Sequence, residues 1–235
     1  MDLSLLSAMN AERTARRATV LVTNPSTGAQ RLVKEADVGA DPLADLLRDR
    51  LRTGRSGMAE TPEGELFLTV QVPPVRILVT GAVHISQALA PMAKILGFDV
   101  IVVDPRTAFA TPERFPDVAL HAEWPDVVIP TLGIDRYTAF VALTHDPKID
   151  DPGLRMALAS DCFYVGALGS RKTHGKRVER LAEAGFTPEQ IGRIKAPIGL
   201  NIGAISPAEI ALSILGEITA ALRLDPATGA KRTAA

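Results

Sequence analysis

The feature that most constrains this chain is a strand–helix–strand pattern packed into residues 76–104. RILVT (76–80) is a short apolar run, residues 84–96 show helical periodicity and stop at Gly97, and DVIVVD (99–104) is a second apolar run. Two such runs joined by one helix within about 30 residues specify a right-handed crossover, and therefore a parallel sheet. Further buried strands are expected at 138–143 (TAFVAL) and 162–167 (CFYVGA), with a weaker one at 118–121. Helices are expected around 124–131, 152–159 and 171–184. Ser206-Pro207-Ala208-Glu209 reads as a capping box with proline at the first helical position, opening a last helix to about Arg223.

The residues ahead of this pattern follow a different rule. ATVLVT (18–23), the turn cluster NPSTG and QRLVKE read as a hairpin. Asp41 and Pro42 look like the cap and first position of a helix that runs through Leu43, Leu46, Leu47 and Leu51 to Gly54. Residues 65–72 (ELFLTVQV) alternate like a half-buried strand, and Pro73-Pro74 then interrupt regular structure. The expected fold class is α/β: a Rossmann-like parallel sheet flanked by helices (74–224), a small N-terminal α+β domain (1–73), and a flexible tail (225–235).

Composition narrows the function classes. Lys plus Arg (26) and Asp plus Glu (27) nearly cancel, so no net field draws the chain to nucleic acid or an anionic membrane. No apolar run approaches a membrane span, and the start of the chain lacks a signal-peptide pattern, so a cytoplasmic protein is expected. The single cysteine, Cys162, allows neither an internal disulfide nor a cysteine metal cluster, and reads as a small buried hydrophobe.

In an open parallel sheet, ligands bind beyond the carboxyl ends of the strands, where helix N-termini and backbone N–H groups are available. Four clusters fall there. Gly81-Ala82-Val83-His84-Ile85-Ser86 occupies the place of the dinucleotide fingerprint but keeps only its first glycine, with Val83 where the second is wanted and His84 as a donor. Asp104 lies 23 positions after Gly81, close to the roughly 20-residue interval at which an acidic residue meets a ribose hydroxyl. The alternative is that Gly81 makes a tight turn and Asp104 caps one. In Thr144-His145-Asp146-Pro147-Lys148-Ile149-Asp150-Asp151-Pro152, His145 and Asp146 could orient a ligand or move a proton, while Asp151-Pro152 also reads as a helix cap and Asp146-Pro147 as a turn. A metal site would need a convergent ligand set that the spacing does not provide.

Gly166-Ala167-Leu168-Gly169-Ser170-Arg171-Lys172-Thr173-His174-Gly175-Lys176-Arg177 places glycines, a hydroxyl and basic side chains at a helix start. Arg171 and Lys172 in a first turn oppose the helix dipole, so the segment calls for an anion such as phosphate, unless it is a solvated basic face. The apolar loop 196–206 (APIGLNIGAIS) is expected to pack against the sheet, a dimer partner or a ring-bearing ligand.

Four long strings, residues 81–106, 143–152, 164–177 and 196–218, together closely resemble the Rossmann domain of the XdhC/CoxI family. That resemblance implies a chaperone, more an accessory protein than an enzyme, which binds the molybdenum cofactor as cargo, as molybdopterin or its cytosine dinucleotide form. It also implies protection of the cofactor during sulfuration by a cysteine desulfurase and handover to an apo molybdenum hydroxylase of the xanthine dehydrogenase or CO dehydrogenase type. A homo-dimer is expected. By motif position the ligand contacts carried over are Gly81, His84, Asp104, His145, Asp146, Gly169, Ser170, Arg171 and His174. Longer members have a fuller N-terminal domain with a glycine-rich segment and often a cysteine, both missing from residues 1–72. The competing readings are an NAD(P)-dependent oxidoreductase and a nucleotide sensor without chemistry.

Overall fold

A computed structural model describes residues 2–224, so the tail at 225–235 lies outside the described residues. The chain divides into two compact units that meet at Pro73–Pro74 in sequence. In the first, α1 (Leu3–Thr14) precedes β1 (Thr19–Thr23) and β2 (Gln30–Lys34). A 3-10 helix at Glu35–Ala40 then leads to α2 (Ala44–Thr53), β3 (Gly57–Thr61) and β4 (Gly64–Gln71). The strands form an antiparallel sheet in the order β2-β1-β4-β3. Alternation decides which face packs: Val20, Val22, Leu66 and Leu68 point into one cluster with Leu47 of α2, while Phe67 stays exposed.

Two expectations for this unit are corrected. Helix α2 starts at Ala44 rather than after Asp41, because the Asp41 carboxylate pairs with Arg31 and accepts from the Leu43 N–H (2.9 Å), closing a separate turn. The unit also holds a first helix and a fourth strand that the apolar pattern does not mark, since α1 leaves Leu3 and Leu6 exposed and β3 is an edge strand.

The second unit contains β5 (Arg76–Thr80), α3 (His84–Ile95), β6 (Asp99–Val103), β7 (Ala119–His121), α4 (Pro125–Leu132) and β8 (Thr138–Ala142). It continues with α5 (Pro147–Leu158), β9 (Tyr164–Ala167), α6 (Arg171–Glu183), α7 (Pro188–Ile191), β10 (Ile194–Lys195) and α8 (Pro207–Arg223). Its six-stranded sheet runs β10-β9-β8-β5-β6-β7, every pair parallel. This is a Rossmann-like α/β fold, with the order of a doubly wound dinucleotide-binding sheet and its switch point between β5 and β8.

The central strands carry buried apolar residues on both faces because helices cover both. Ile77, Val79 and Val141 face a layer containing Leu89 of α3 and Ile214 and Ile218 of α8. Leu78 and Phe140 face the other, with Leu154 and Leu158 of α5 and Leu181 of α6. Each of these large side chains contributes about 1.5–3 kcal/mol by leaving water. Gly153 brings α5 close to the sheet, since a Cβ there would lie 2.5 Å from Phe140 Cζ.

Helix α5 begins five residues before the expected 152. Asp146 is its cap, accepting from the Lys148 N–H at 2.9 Å, and Pro147 takes the first position. Asp151-Pro152 therefore lies within the helix and does not cap it. The loop at 196–206 is only partly packed: Ile198 is buried, and the Gly199 N–H donates to Glu217 of α8 (2.9 Å), but Ile202 and Ile205 are exposed.

Candidate functional site

The loops after β5, β6, β8 and β9 meet around the switch point, and they treat their polar groups in two ways. On the β5 side the N–H groups of Gly81, Ala82 and Val83 are paired within the protein. The Gly81 N–H donates to the Val103 carbonyl (2.9 Å), Ala82 N–H to Asp104 (2.7 Å) and Val83 N–H to the Ser86 hydroxyl (2.9 Å), which itself donates to the Gly81 carbonyl (2.7 Å). Asp104 is fully buried and receives Arg106 through Nε (2.9 Å), Nη2 (2.6 Å) and its backbone N–H (2.9 Å). Burial works against this carboxylate, but the bonds from Arg106 and Ala82 outweigh it and hold its pKa below the ordinary range. Gly81 has φ +117°, and a Cβ on it would come within 2.8 Å of Thr144 Cγ2, so its glycine allows the β5 and β8 loops to touch. His84 is exposed at the first position of α3.

Across the switch point, the β8 loop is organised by Asp150. This buried carboxyl accepts from the Thr80 hydroxyl (3.1 Å), Thr144 N–H (3.3 Å) and His145 N–H (3.0 Å). The last bond holds His145 at φ +64°, a left-handed conformation uncommon outside glycine. Burial pushes the Asp150 carboxyl above its usual pKa, with Thr144, Thr80 and Arg177 working the other way. In the β9 loop Gly169 has φ +137°; a Cβ there would lie 3.1 Å from Thr173 Cγ2 and 3.7 Å from His145 Nδ1. The Ser170 hydroxyl caps α6 by accepting from Thr173 N–H (3.2 Å).

Between α5 and α6 these loops border a cavity of about 330 Å³. His145, Pro147, Asp150 and Asp151 line one side. Lys172, Thr173, Lys176, Arg177 and Arg180 line the other. Arg180 is engaged with Asp151 through two hydrogen bonds (2.6 and 3.1 Å). Arg177 is 2% exposed, gives a hydrogen bond from Nη2 to the Leu168 carbonyl (2.9 Å), and among the described residues leaves Nε and Nη1 without a partner. Burial disfavours its charge, which Asp150 and Asp151 help to sustain. A buried guanidinium with unused donors costs free energy unless an acceptor arrives, so the chemistry of this lining suits an anion.

The residues singled out from sequence therefore separate. His145 lines the cavity, with Asp146, Gly169 and Ser170 in the loops beside it. Arg171, exposed at the first position of α6, is not among the lining side chains. His174 instead borders a second, apolar cavity of about 400 Å³ with Val178, Phe186, Ile191 and Ile194, where burial lowers its pKa. Sequence reasoning misses Asp150 and Arg177, although Arg177 stands four residues before the buried Leu181 and so on the inward stripe of α6. Cys162 is buried and donates to the Ala157 carbonyl (3.2 Å), and burial pushes its thiol pKa up.

The model of the XdhC Rossmann domain matches residues 77–218, more than half of the chain. The chain belongs to the XdhC family. The chain is 34% identical over 157 residues to the uncharacterized protein YqeB of Escherichia coli, covering 65% of this chain and 28% of that protein. It is 33% identical over 152 residues to the molybdenum cofactor insertion chaperone PaoD of Escherichia coli, covering 65% of this chain and 41% of PaoD. A probable xanthine dehydrogenase subunit of Bacillus subtilis is 31% identical over 154 residues, 65% of this chain and 44% of that protein. The chain thus spans less than half the length of these curated relatives. The crystal structure of a xanthine dehydrogenase from Bacillus halodurans shares the fold, with a TM-score of 0.65 at 22% identity over 94% of this chain and 65% of that one. Among the described residues no helix is long and apolar enough to cross a membrane, and no group of three or more His, Cys, Asp and Glu is arranged to hold a metal ion.

Proposed function

We propose that this XdhC protein is a carrier that binds the molybdenum cofactor as cargo and assists its insertion into a molybdenum hydroxylase of the xanthine dehydrogenase type. The observation that carries this reading is the cationic cavity at the carboxyl ends of β8 and β9, lined by Lys172, Lys176 and a buried Arg177 whose guanidinium is only partly hydrogen-bonded. It is supported by family membership and by relatives named as a cofactor insertion chaperone and a component of xanthine dehydrogenase. When bound, molybdopterin or its dinucleotide form would bring the metal chemistry and an anionic end. The protein's own task is to bind, orient and shield. His145, Asp146, Gly169 and Ser170 form the rim best placed to touch the bound group, and the 196–206 loop offers apolar surface. Sulfuration by a cysteine desulfurase, a homo-dimer and a cytoplasmic setting belong to the same reading.

Anaerobic purification from cofactor-producing cells, followed by pterin analysis and transfer to an apo hydroxylase, tests it. Co-purified pterin and restored hydroxylase activity are expected. Protein that neither retains molybdopterin nor binds it in vitro would refute the carrier.

The strand order favours one second reading, an NAD(P)-dependent oxidoreductase. Against it, the N–H groups of Gly81, Ala82 and Val83, which a pyrophosphate would need, are taken by Val103, Asp104 and Ser86. Saturable NAD(H) or NADP(H) binding below millimolar concentration would revive that alternative.

A further inference from the structure

The expectation from sequence sets an anion at the first turn of α6, on Arg171 and the Ser170 cap. The side chains place the unmet demand elsewhere. Arg177 sits deeper in the helix, where residues of α6 already turn inward: it is 2% exposed, beside the fully buried Leu181 in the same stripe. Two of its nitrogens lack acceptors, although Asp150 and Asp151 line the same cavity. Asp151 is occupied by Arg180, and Asp150 directs its oxygens to Thr80, Thr144 and His145. Neither carboxylate forms a hydrogen bond with Arg177. With Arg180 and Asp151 cancelling, Lys172, Lys176 and Arg177 face the one remaining carboxyl of Asp150. The excess of about two positive charges matches a phosphate monoester, which carries roughly −1.5 to −2 at neutral pH and three acceptor oxygens. The volume, about 330 Å³, is at the low end for ligand pockets and suits a phosphate end rather than a whole ring system with a nucleotide.

We infer that the cavity between α5 and α6 is a subsite for a terminal phosphate monoester, held by the Arg177 guanidinium, with Lys172 and Lys176 supplying charge at its mouth. A planar guanidinium presenting several N–H groups in a fixed plane binds phosphate oxygens in pairs, which a lysine at this position would not reproduce. The inference deepens the carrier reading, on which it rests only for the identity of the group attached to the phosphate. It makes the nucleotide-free form of the cofactor the better fit.

The test is calorimetric titration of the whole chain at constant ionic strength with inorganic phosphate, glycerol 2-phosphate and a dinucleotide carrying only a pyrophosphate diester. Saturable binding of the first two, with the diester at least tenfold weaker, is expected. Arg177→Gln should abolish it and the Lys172→Ala/Lys176→Ala pair should weaken it at least tenfold; the second variant changes side chains at the cavity mouth and keeps the test valid if the first fails to fold. No saturable phosphate binding, equal binding of the diester, or unchanged affinity in the lysine pair would overturn the inference. So would loss of binding in Arg171→Ala alone, which would return the anion to the start of α6. Phosphate binding through Arg177 in a protein that never takes up molybdopterin would leave the subsite standing and remove the carrier. Molybdopterin uptake that these variants leave untouched would do the reverse.

Discussion

At the β5 corner of the XdhC crevice, Gly81, Ala82 and Val83 each find a partner for their N–H within the protein, while Arg177 in the opposite wall keeps two guanidinium nitrogens without one. Both regions lie at the carboxyl ends of parallel strands, where the fold puts its ligands. The difference lies in how the polar groups are met. The fingerprint-like corner is a joint: Asp104 ties the β5 loop to Arg106, and Gly81 lets the β8 loop pack against it. The cavity beside α6 has the makings of a receptor in the proposed reading, because its buried cation is only partly satisfied. Motif position locates the crevice, and hydrogen-bond accounting separates its two halves.

The comparison breaks most readily at Asp104. Asp104→Ala would orphan the Ala82 N–H and release Arg106, costing on the order of 3 kcal/mol in denaturant unfolding while leaving phosphate affinity within about twofold. A neutral substitution would mean the corner is no joint. Asp150→Asn should cost about 1–2 kcal/mol near neutral pH, since an amide cannot accept at both ends from Thr144 and His145. Its pH dependence sharpens the point. Because burial raises the Asp150 pKa, the folded protein holds this proton more tightly than the unfolded chain, so stability from this group is fully present below the ordinary value of 3.8 and is lost as pH rises through the raised one. The gap between wild type and Asp150→Asn should therefore be widest at low pH and narrow as pH rises; a gap independent of pH would contradict the assignment. The smallest effect belongs to the Lys172→Ala/Lys176→Ala pair, whose unfolding free energy should stay within about 0.5 kcal/mol of wild type even as anion affinity falls. A large destabilisation there would make the lysines structural.

Much of the fold was legible because a parallel sheet covered on both faces writes its strands as apolar runs: RILVT, TAFVA and YVGA all appear, as does the Ser206 capping box. The start of α5 was not. Two Asp-Pro pairs five residues apart carry the same helix-start signature, and a proline inside a helix is normally costly, so Asp151-Pro152 looks the better cap. Tertiary bonds from Asp150 decide for Asp146-Pro147. Strand β3 (GMAET) has no apolar run and exists through its pairing with β4. Of the site, the loops and their basic character were readable, including His145 and Gly169. Which cation of the α6 run turns inward was not, since Arg171, Lys172, Lys176 and Arg177 differ only by helical phase relative to a sheet whose position the sequence does not state.

The central claim is that unmet donors on Arg177, and not the glycine turn after β5, receive the anion. Proton–nitrogen correlation spectra that include the arginine Nε–H region, recorded while glycerol 2-phosphate is titrated into the protein, observe both places at once. The account predicts a saturable shift of the Arg177 Nε–H with the Ala82 and Val83 amides unmoved. Movement of those amides with a stationary Arg177 Nε–H would contradict it.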